Sequence, residues 1–212
     1  MAKSIDSAPA GRRLFHDRSR CGPSPWLVLA AAIMCTLSFR LMPAAAESLG
    51  SAPVVALGYS DANTNNQELL TLMLGWRFLY DAGDRINGLL RDTRWRGSLV
   101  VEPSVNLVGG DQDTFEMKVL PMLRLERTND RLPDFYIEGG IGLIYSEIRR
   151  IRLGSQILFN DSIGFGWSFP TAGGRLWSIG YRFRHISHAK LWARSNRGLQ
   201  TSFLTVTFSP AP

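Results

Sequence analysis

The chain has 212 residues, of which 45% are hydrophobic and 20% are charged, and its formal net charge is +6. This length suits one domain with a core of its own. Mean hydropathy is −0.04, and no apolar run reaches the roughly 18 residues that a spanning helix needs, which excludes a helical membrane protein.

Residues 1–46 have the layout of an export signal. Four arginines between positions 12 and 20 precede an apolar run at 26–39, and three small alanines follow at 44–46. Basic, apolar and small-residue segments in this order are typical of a secretory leader. We therefore predict a signal peptide that is removed and a single mature domain over 47–212.

Removing this leader changes what charge and cysteine content imply. The leader holds six Lys and Arg and two Asp, so it carries +4 of the +6 and leaves +2 on the mature chain. That charge gives little support for a nucleic-acid partner. Both cysteines, Cys21 and Cys35, also lie in the leader, so the mature chain is expected to have neither a disulfide nor a thiol nucleophile.

Eight segments after residue 53 alternate between apolar and polar side chains, as β-strands with two different faces do. Clusters of Gly, Asp, Asn and Pro separate the segments. In chain order, the predicted strands cover 54–60, 70–80, 95–107, 115–126, 135–146, 157–169, 177–184 and 201–208.

Aromatic residues collect at one end of the apolar faces. If the first strand starts in the periplasm, the periplasmic strand ends carry Trp76, Phe78, Tyr80, Trp95, Phe135, Phe165, Trp167, Phe169, Trp177 and Phe208. Such a girdle is typical of outer-membrane barrels, whereas a soluble lipocalin-like barrel would not need one. We therefore predict an all-β fold, an eight-stranded antiparallel up-and-down transmembrane β-barrel in the outer membrane of a Gram-negative bacterium.

The polar faces of the strands carry charges that such a barrel would enclose. Side chains fill the interior of an eight-stranded barrel, so these charges are expected to form internal salt bridges and need no catalytic role. The small interior also disfavours a solute channel. The expected interior charges are Arg96, Glu102, Glu116, Lys118, Arg124 and Glu138.

The connections fall into two groups. Loops at 61–67, 108–113, 147–156 and 188–199 are expected outside the cell, and short turns at 127–132 and 170–173 in the periplasm, where the longer link 81–92 has room for a helical turn at 86–90. Basic side chains of the outer loops suit the phosphates of a surface glycolipid, although exposed loops are often basic without a ligand. These side chains are Arg149, Arg150, Arg152, Lys190, Arg194 and Arg197.

A candidate nucleophile and base lie at the outer end of the seventh strand. His185 and Ser187 are two residues apart, so both side chains point to one face. This is the apolar, outward face that also carries Tyr181 and Phe183. The pair suggests chemistry on a lipid, although strands also become polar simply because they leave the membrane.

The segment 181–200 resembles the signature of the lipid A 3-O-deacylase family, PagL-like outer-membrane esterases, in which His-x-Ser-Asn-Ala-Gly precedes Asn-x-Gly-x-Glu. Matching residues are His185, Ser187, Ala189, Asn196 and Gly198, the last two after a one-residue insertion. The resemblance implies a barrel that cleaves the ester at position 3 of lipid A. Ser187 would be the nucleophile and His185 the base, and the other three would belong to the loop beside the oxyanion.

Three positions depart from this signature. His188 replaces its Asn and Lys190 its Gly, and Gln200 stands where the family has the Glu that orients the histidine. Gln200 is expected beside His185, where its amide oxygen can accept a proton without supplying charge. Asp161 interrupts the apolar face of strand six and is expected diagonally near His185, as an alternative acid.

Two functions remain open from the sequence. The first is a lipid A esterase that needs no metal or other cofactor and is slowed by the loss of the acid. The second is a non-catalytic barrel of the same fold that binds or stabilises lipopolysaccharide in the outer membrane. The sequence leaves open whether the barrel forms a homodimer.

Overall fold

Eight antiparallel strands close into one barrel. The computed structural model describes residues 48–62, 67–127, 133–148, 153, 155–170, 176–187 and 198–209. Each strand pairs with the next along the chain, and the last pairs with the first, which confirms the predicted up-and-down barrel. The strands are β1 (Ser48–Ala62), β2 (Gln67–Asp81), β3 (Trp95–Gly110), β4 (Thr114–Arg127), β5 (Asp134–Ser146), β6 (Ile157–Pro170), β7 (Leu176–Ser187) and β8 (Leu199–Ser209).

Several strands are longer than predicted. β1 begins at Ser48, six residues before the predicted start. The prediction missed these residues because Ser, Gly and Ala dominate them and give little contrast between an apolar and a polar face. β3 continues to Gly110 and β4 begins at Thr114, so the outer link between them is shorter than the predicted loop 108–113. The predicted leader, including the cleavage site before Glu47, lies outside the described residues.

The outer surface is apolar along every strand, as a lipid-facing surface must be. Exposed side chains include Leu57 on β1, Leu70 on β2 and Ile163 on β6, while their sequence neighbours point inward and are buried. The helices of the described residues include none long and apolar enough to cross a membrane.

Aromatic rings contact one another at one end of this surface, which confirms that the barrel has a girdle. Ring centroids lie 6.3 Å apart for Trp95 and Phe135 and 5.6 Å apart for Phe135 and Trp167, both edge-on. Phe169 stacks on Trp177 at 4.5 Å. The helix α1 (Asp84–Leu90) links β2 to β3 at this same end, close to the predicted turn at 86–90.

A cluster of charged side chains fills the middle of the barrel. We call Arg77, Glu102, Lys118, Arg124, Glu138 and Arg182 the interior charge cluster, and all six are buried. Arg182 binds both carboxylates, with its Nη1 2.6 Å from Glu102 Oε1 and its Nη2 2.7 Å from Glu138 Oε1. Arg77 bridges the same two carboxylates at 2.9 and 3.0 Å. The predicted interior salt bridges are therefore present.

One predicted member of this interior set lies elsewhere. Arg96 has a side chain that is 59% exposed, and its guanidinium lies 3.7 Å from Asp81 at the barrel rim. Since Arg96 is the second residue of β3, it lies at the end of the strand, where an inward-facing position opens to water.

At the other end of the interior, apolar side chains pack among buried polar ones such as Glu116 and Asn160. Eight buried residues form one cluster there, Leu69, Val108, Ile144, Ile148, Leu153, Leu158, Ile186 and Leu199. Most come from the strand ends far from the aromatic girdle. The strands are therefore packed from the inside at the end where the candidate site lies.

Candidate active site

β7 presents its odd-numbered side chains to the outside of the barrel. Arg184 and Ile186 are fully buried, whereas His185 and Ser187 are half-buried. Arg184 Nη1 lies 2.6 Å from Glu116 Oε2, and Ile186 belongs to the apolar interior cluster. The outward orientation predicted for His185 and Ser187 is confirmed, and the strand that carries them is anchored from within.

Asp161, His185 and Gln200 form one row across three adjacent strands. In the strand register, His185 is directly opposite Asp161 on β6 and directly opposite Gln200 on β8. The predicted neighbourhood of Gln200 is confirmed. The predicted diagonal position of Asp161 was wrong, because residues 171–175 join β6 to β7 instead of a turn at 170–173.

The imidazole of His185 reaches over Gly198. A Cβ atom built on Gly198 would lie 2.6 Å from Cε1 of His185 and 3.3 Å from its Nε2. Gly198 precedes Leu199, the residue opposite Ile186, so it lies at the level of Ser187. The ring end that carries Nε2 is therefore directed toward the serine's end of the strand.

No hydrogen bond joins the His185 and Ser187 side chains among the described residues. Their Cα atoms are separated by two strand residues, or about 6.6 Å of rise. In unliganded enzymes, the contacts between nucleophile and base are often long and tighten only with substrate. The arrangement provides both groups on one surface of the barrel.

An apolar groove of about 400 Å³ on the outer surface has His185, but not Ser187, in its lining. Its lining is Gly139, Gly140, Ile141, Asp161, Ser162, Ile163, Phe183 and His185. Gly139 helps to keep it open, since a Cβ there would meet only ordinary contacts at 3.5 and 4.0 Å and would project from the outward face of β5. The sequence analysis missed this groove, and its available signal was Gly139 on the otherwise apolar outward face of β5.

Several predicted site residues lie outside the described residues. They are the loop residues Ala189 and Asn196 and the basic residues Arg149, Arg150, Arg152, Lys190, Arg194 and Arg197. Within the described ranges, no group of three or more His, Cys, Asp or Glu side chains is arranged to hold a metal ion.

Comparison with known proteins assigns this chain to a family. The family model described as lipid A 3-O-deacylase (PagL) matches residues 70–209, which run from within β2 to the end of β8. The match includes Asp161, His185, Ser187, Gly198 and Gln200. The chain belongs to the lipid A 3-O-deacylase family. The resemblance found in segment 181–200 is thereby confirmed, and it extends over most of the barrel.

Two solved structures share the fold of this deacylase-family chain. The outer membrane enzyme PagL is 22% identical with a TM-score of 0.54, and the match covers 75% of this chain and 99% of that chain. Neisserial surface protein A is 9% identical with a TM-score of 0.50, and the match covers 75% and 94%. No curated protein sequence matches this chain. Family membership and the apolar outer surface place the protein in the outer membrane, as predicted.

Gly198 offers a test of how the deacylase-family site is built. Its φ of +61° lies in the left-handed region that favours glycine, and a Cβ would collide with the imidazole. We expect Gly198→Ala to displace the His185 ring and to lower the kcat of a reaction that uses this ring by about 10²-fold, as misplacement of about 1 Å does.

The control for that variant is Gly88→Ala in α1, where a Cβ has open space. Gly88 lies at the end of the barrel opposite His185. This control variant should retain wild-type kcat. Wild-type kcat in Gly198→Ala would show that the ring position seen here is irrelevant to the reaction.

Proposed function

We propose that the protein is an outer-membrane serine esterase that removes the 3-O-linked acyl chain of lipid A. The observation that carries the proposal is the joint placement of His185 and Ser187 on the lipid-facing side of β7, where His185 also lines an apolar groove. Both residues fall at the end of the strand farthest from the aromatic girdle. At this depth, outward polar groups cost only about 0 to 1 kcal/mol.

The groove suits the acyl part of the substrate. Ile141, Ile163 and Phe183 provide apolar walls, and the groove opens to the outer surface of the barrel. A chain that is already in the membrane can therefore enter sideways, and burying its methylene groups contributes about 0.8 kcal/mol each only if they leave water. Since the chain leaves lipid and not water, the groove would act mainly by orienting the ester.

The chemistry follows from the two side chains. Ser187 Oγ attacks the ester carbonyl carbon while its proton passes to His185 Nε2. The bond to the sugar oxygen then breaks, and the proton on His185 goes to that oxygen. A water molecule attacks the acyl-serine, His185 takes the water proton and returns it to Ser187, and the fatty acid leaves.

A barrel that only binds lipopolysaccharide is the second candidate. The neutral side chain of Gln200 favours it, because Gln200 lies directly opposite His185 and supplies no negative charge to an imidazolium. The two candidates predict different lipid A compositions in cells that produce the protein.

The experiment is mass spectrometry of lipid A from a Gram-negative host without such a deacylase. We expect the wild type, but not Ser187→Ala, to remove one 3-hydroxyacyl chain from each lipid A molecule. Heat-modifiable migration on gels would confirm that both barrels are folded. Identical lipid A from the two strains would contradict the esterase and support the binding protein.

A further inference from the structure

Asp161 is an exception on the outer surface of the barrel. It is the only Asp or Glu in β6, β7 and β8, and the outward face around it is apolar, with Ile163 and Phe165 among its exposed members. Asp161 lies at the level of His185, where an outward polar group costs only about 0 to 1 kcal/mol. Its position therefore tolerates a carboxylate and leaves it available to a polar partner on the same surface.

The partner given by the register is His185. The two residues are directly opposite each other on paired strands, where Cβ atoms are about 4.5 to 5.5 Å apart. Both side chains line the same groove. On the other side of His185 the directly opposite residue is Gln200, which cannot carry a charge.

We propose that Asp161 is the positioning residue for His185, in a row where the acid comes from β6 and the amide from β8. This inference rests on the proposed esterase function. Among the described residues no hydrogen bond joins the two side chains, and in the proposed role the Asp161 carboxylate accepts one in the substrate complex from the imidazole N–H that does not face Ser187. That bond would fix the tautomer with a free Nε2. The carboxylate also stabilises the imidazolium that forms when Ser187 loses its proton, and it takes up no proton itself.

The arrangement assigns different roles to the two flanking residues. Asp161 supplies the negative charge, whereas Gln200 supplies at most a neutral acceptor on the opposite side of the ring. Removing the charge should therefore affect the chemical step much more than substrate binding. The acyl groove keeps its shape when the carboxylate becomes an amide of the same size.

The first test is Asp161→Asn in the full-length folded barrel, assayed by release of hydroxy fatty acid from lipid A in detergent micelles. We expect kcat to fall by about 10²- to 10⁴-fold, as when an amide replaces the acid of a serine triad, with KM changed less than about threefold. The control Asp84→Asn removes an exposed carboxylate at the opposite end of the barrel and should retain wild-type kcat.

The second test restores the charge from the other strand. Because Asp161 and Gln200 flank the same imidazole, Asp161→Asn combined with Gln200→Glu should recover at least about tenfold of the lost kcat. A residue needed only for folding would not be rescued in this way. Unchanged kcat in Asp161→Asn, or no recovery in the double variant, would overturn the inference while Ser187→Ala remains inactive. A wild type without activity would overturn the esterase proposal, and this inference with it.

Discussion

Replacing Ser187 with alanine should lower kcat for lipid A deacylation by at least about 10³-fold, and replacing His185 with alanine should have a similar effect. The two side chains act as one unit, because the hydroxyl is a useful nucleophile only while the imidazole takes its proton. Alanine at either position leaves the barrel interior intact, since both side chains point outward and are half-buried.

The double variant is the sharper measurement. If the pair forms a single catalytic unit, Ser187→Ala with His185→Ala should be no slower than either single variant. A matched serine control is Ser202→Ala on β8, whose outward hydroxyl lies 2.7 Å from the Tyr181 hydroxyl and takes no part in the proposed reaction. Multiplied losses in the double variant would show that the two residues act independently and would contradict the proposed mechanism.

The sequence predicted the barrel because alternation with a period of two is a local property of each strand. Leu70, Leu74 and Trp76, for example, have the same parity in the predicted strand 70–80, and all three are exposed on β2. Local alternation also predicted the outward orientation of His185. The weakest element was the start of β1, where Ser, Ala and Gly provide little contrast between faces.

Contacts between strands depend on register, and register depends on the connections. The position of Asp161 relative to His185 was predicted as diagonal because the turn was placed at 170–173, and the actual link 171–175 makes the two residues direct partners. A small change in the connecting turn changes every cross-strand pair on that side. The row that includes Gln200 was predicted correctly across the loop between β7 and β8.

Features that need several strands at once were not predictable from the spacing of residues. The apolar interior cluster brings together Leu69, Ile144 and Ile186 from three strands that are far apart in sequence. Each shares the inward face of its strand with polar residues, so none is conspicuous in its own segment. The groove likewise requires the absence of a side chain at Gly139 to coincide with His185 two strands away.

The free energy of unfolding of the barrel should depend on the carboxylates of the interior charge cluster far more than on its lysine. The cluster contains four cations and two carboxylates. Glu102 is fully buried and contacts three of the cations, Arg77, Lys118 and Arg182, at 2.6 to 3.2 Å. Glu102→Gln should therefore lower the free energy of unfolding by about 3 to 5 kcal/mol, because it leaves buried positive charges without a counter-ion.

Lys118→Met, in contrast, should not lower the free energy of unfolding by more than about 1 kcal/mol. Lys118 Nζ lies 3.2 Å from Glu102 Oε1 and 6.0 Å from the Phe203 ring centroid, but it makes no hydrogen bond among the described residues. Methionine has a similar length and carries no charge to desolvate, while Glu102 keeps both arginines. We expect a free energy of unfolding within about 1 kcal/mol of the wild type, or above it.

Urea unfolding of the barrel in lipid vesicles, followed by tryptophan fluorescence, would measure both variants. Arg96→Gln is the control for a charge removed at the exposed rim, where the pair with Asp81 at 3.7 Å should contribute less than about 1 kcal/mol. Equal losses for Glu102→Gln and Lys118→Met would contradict the argument. Equal losses would mean that the size or polarity of each interior side chain determines its contribution to stability. The excess of four cations over two carboxylates would then not decide which single charge the barrel can lose.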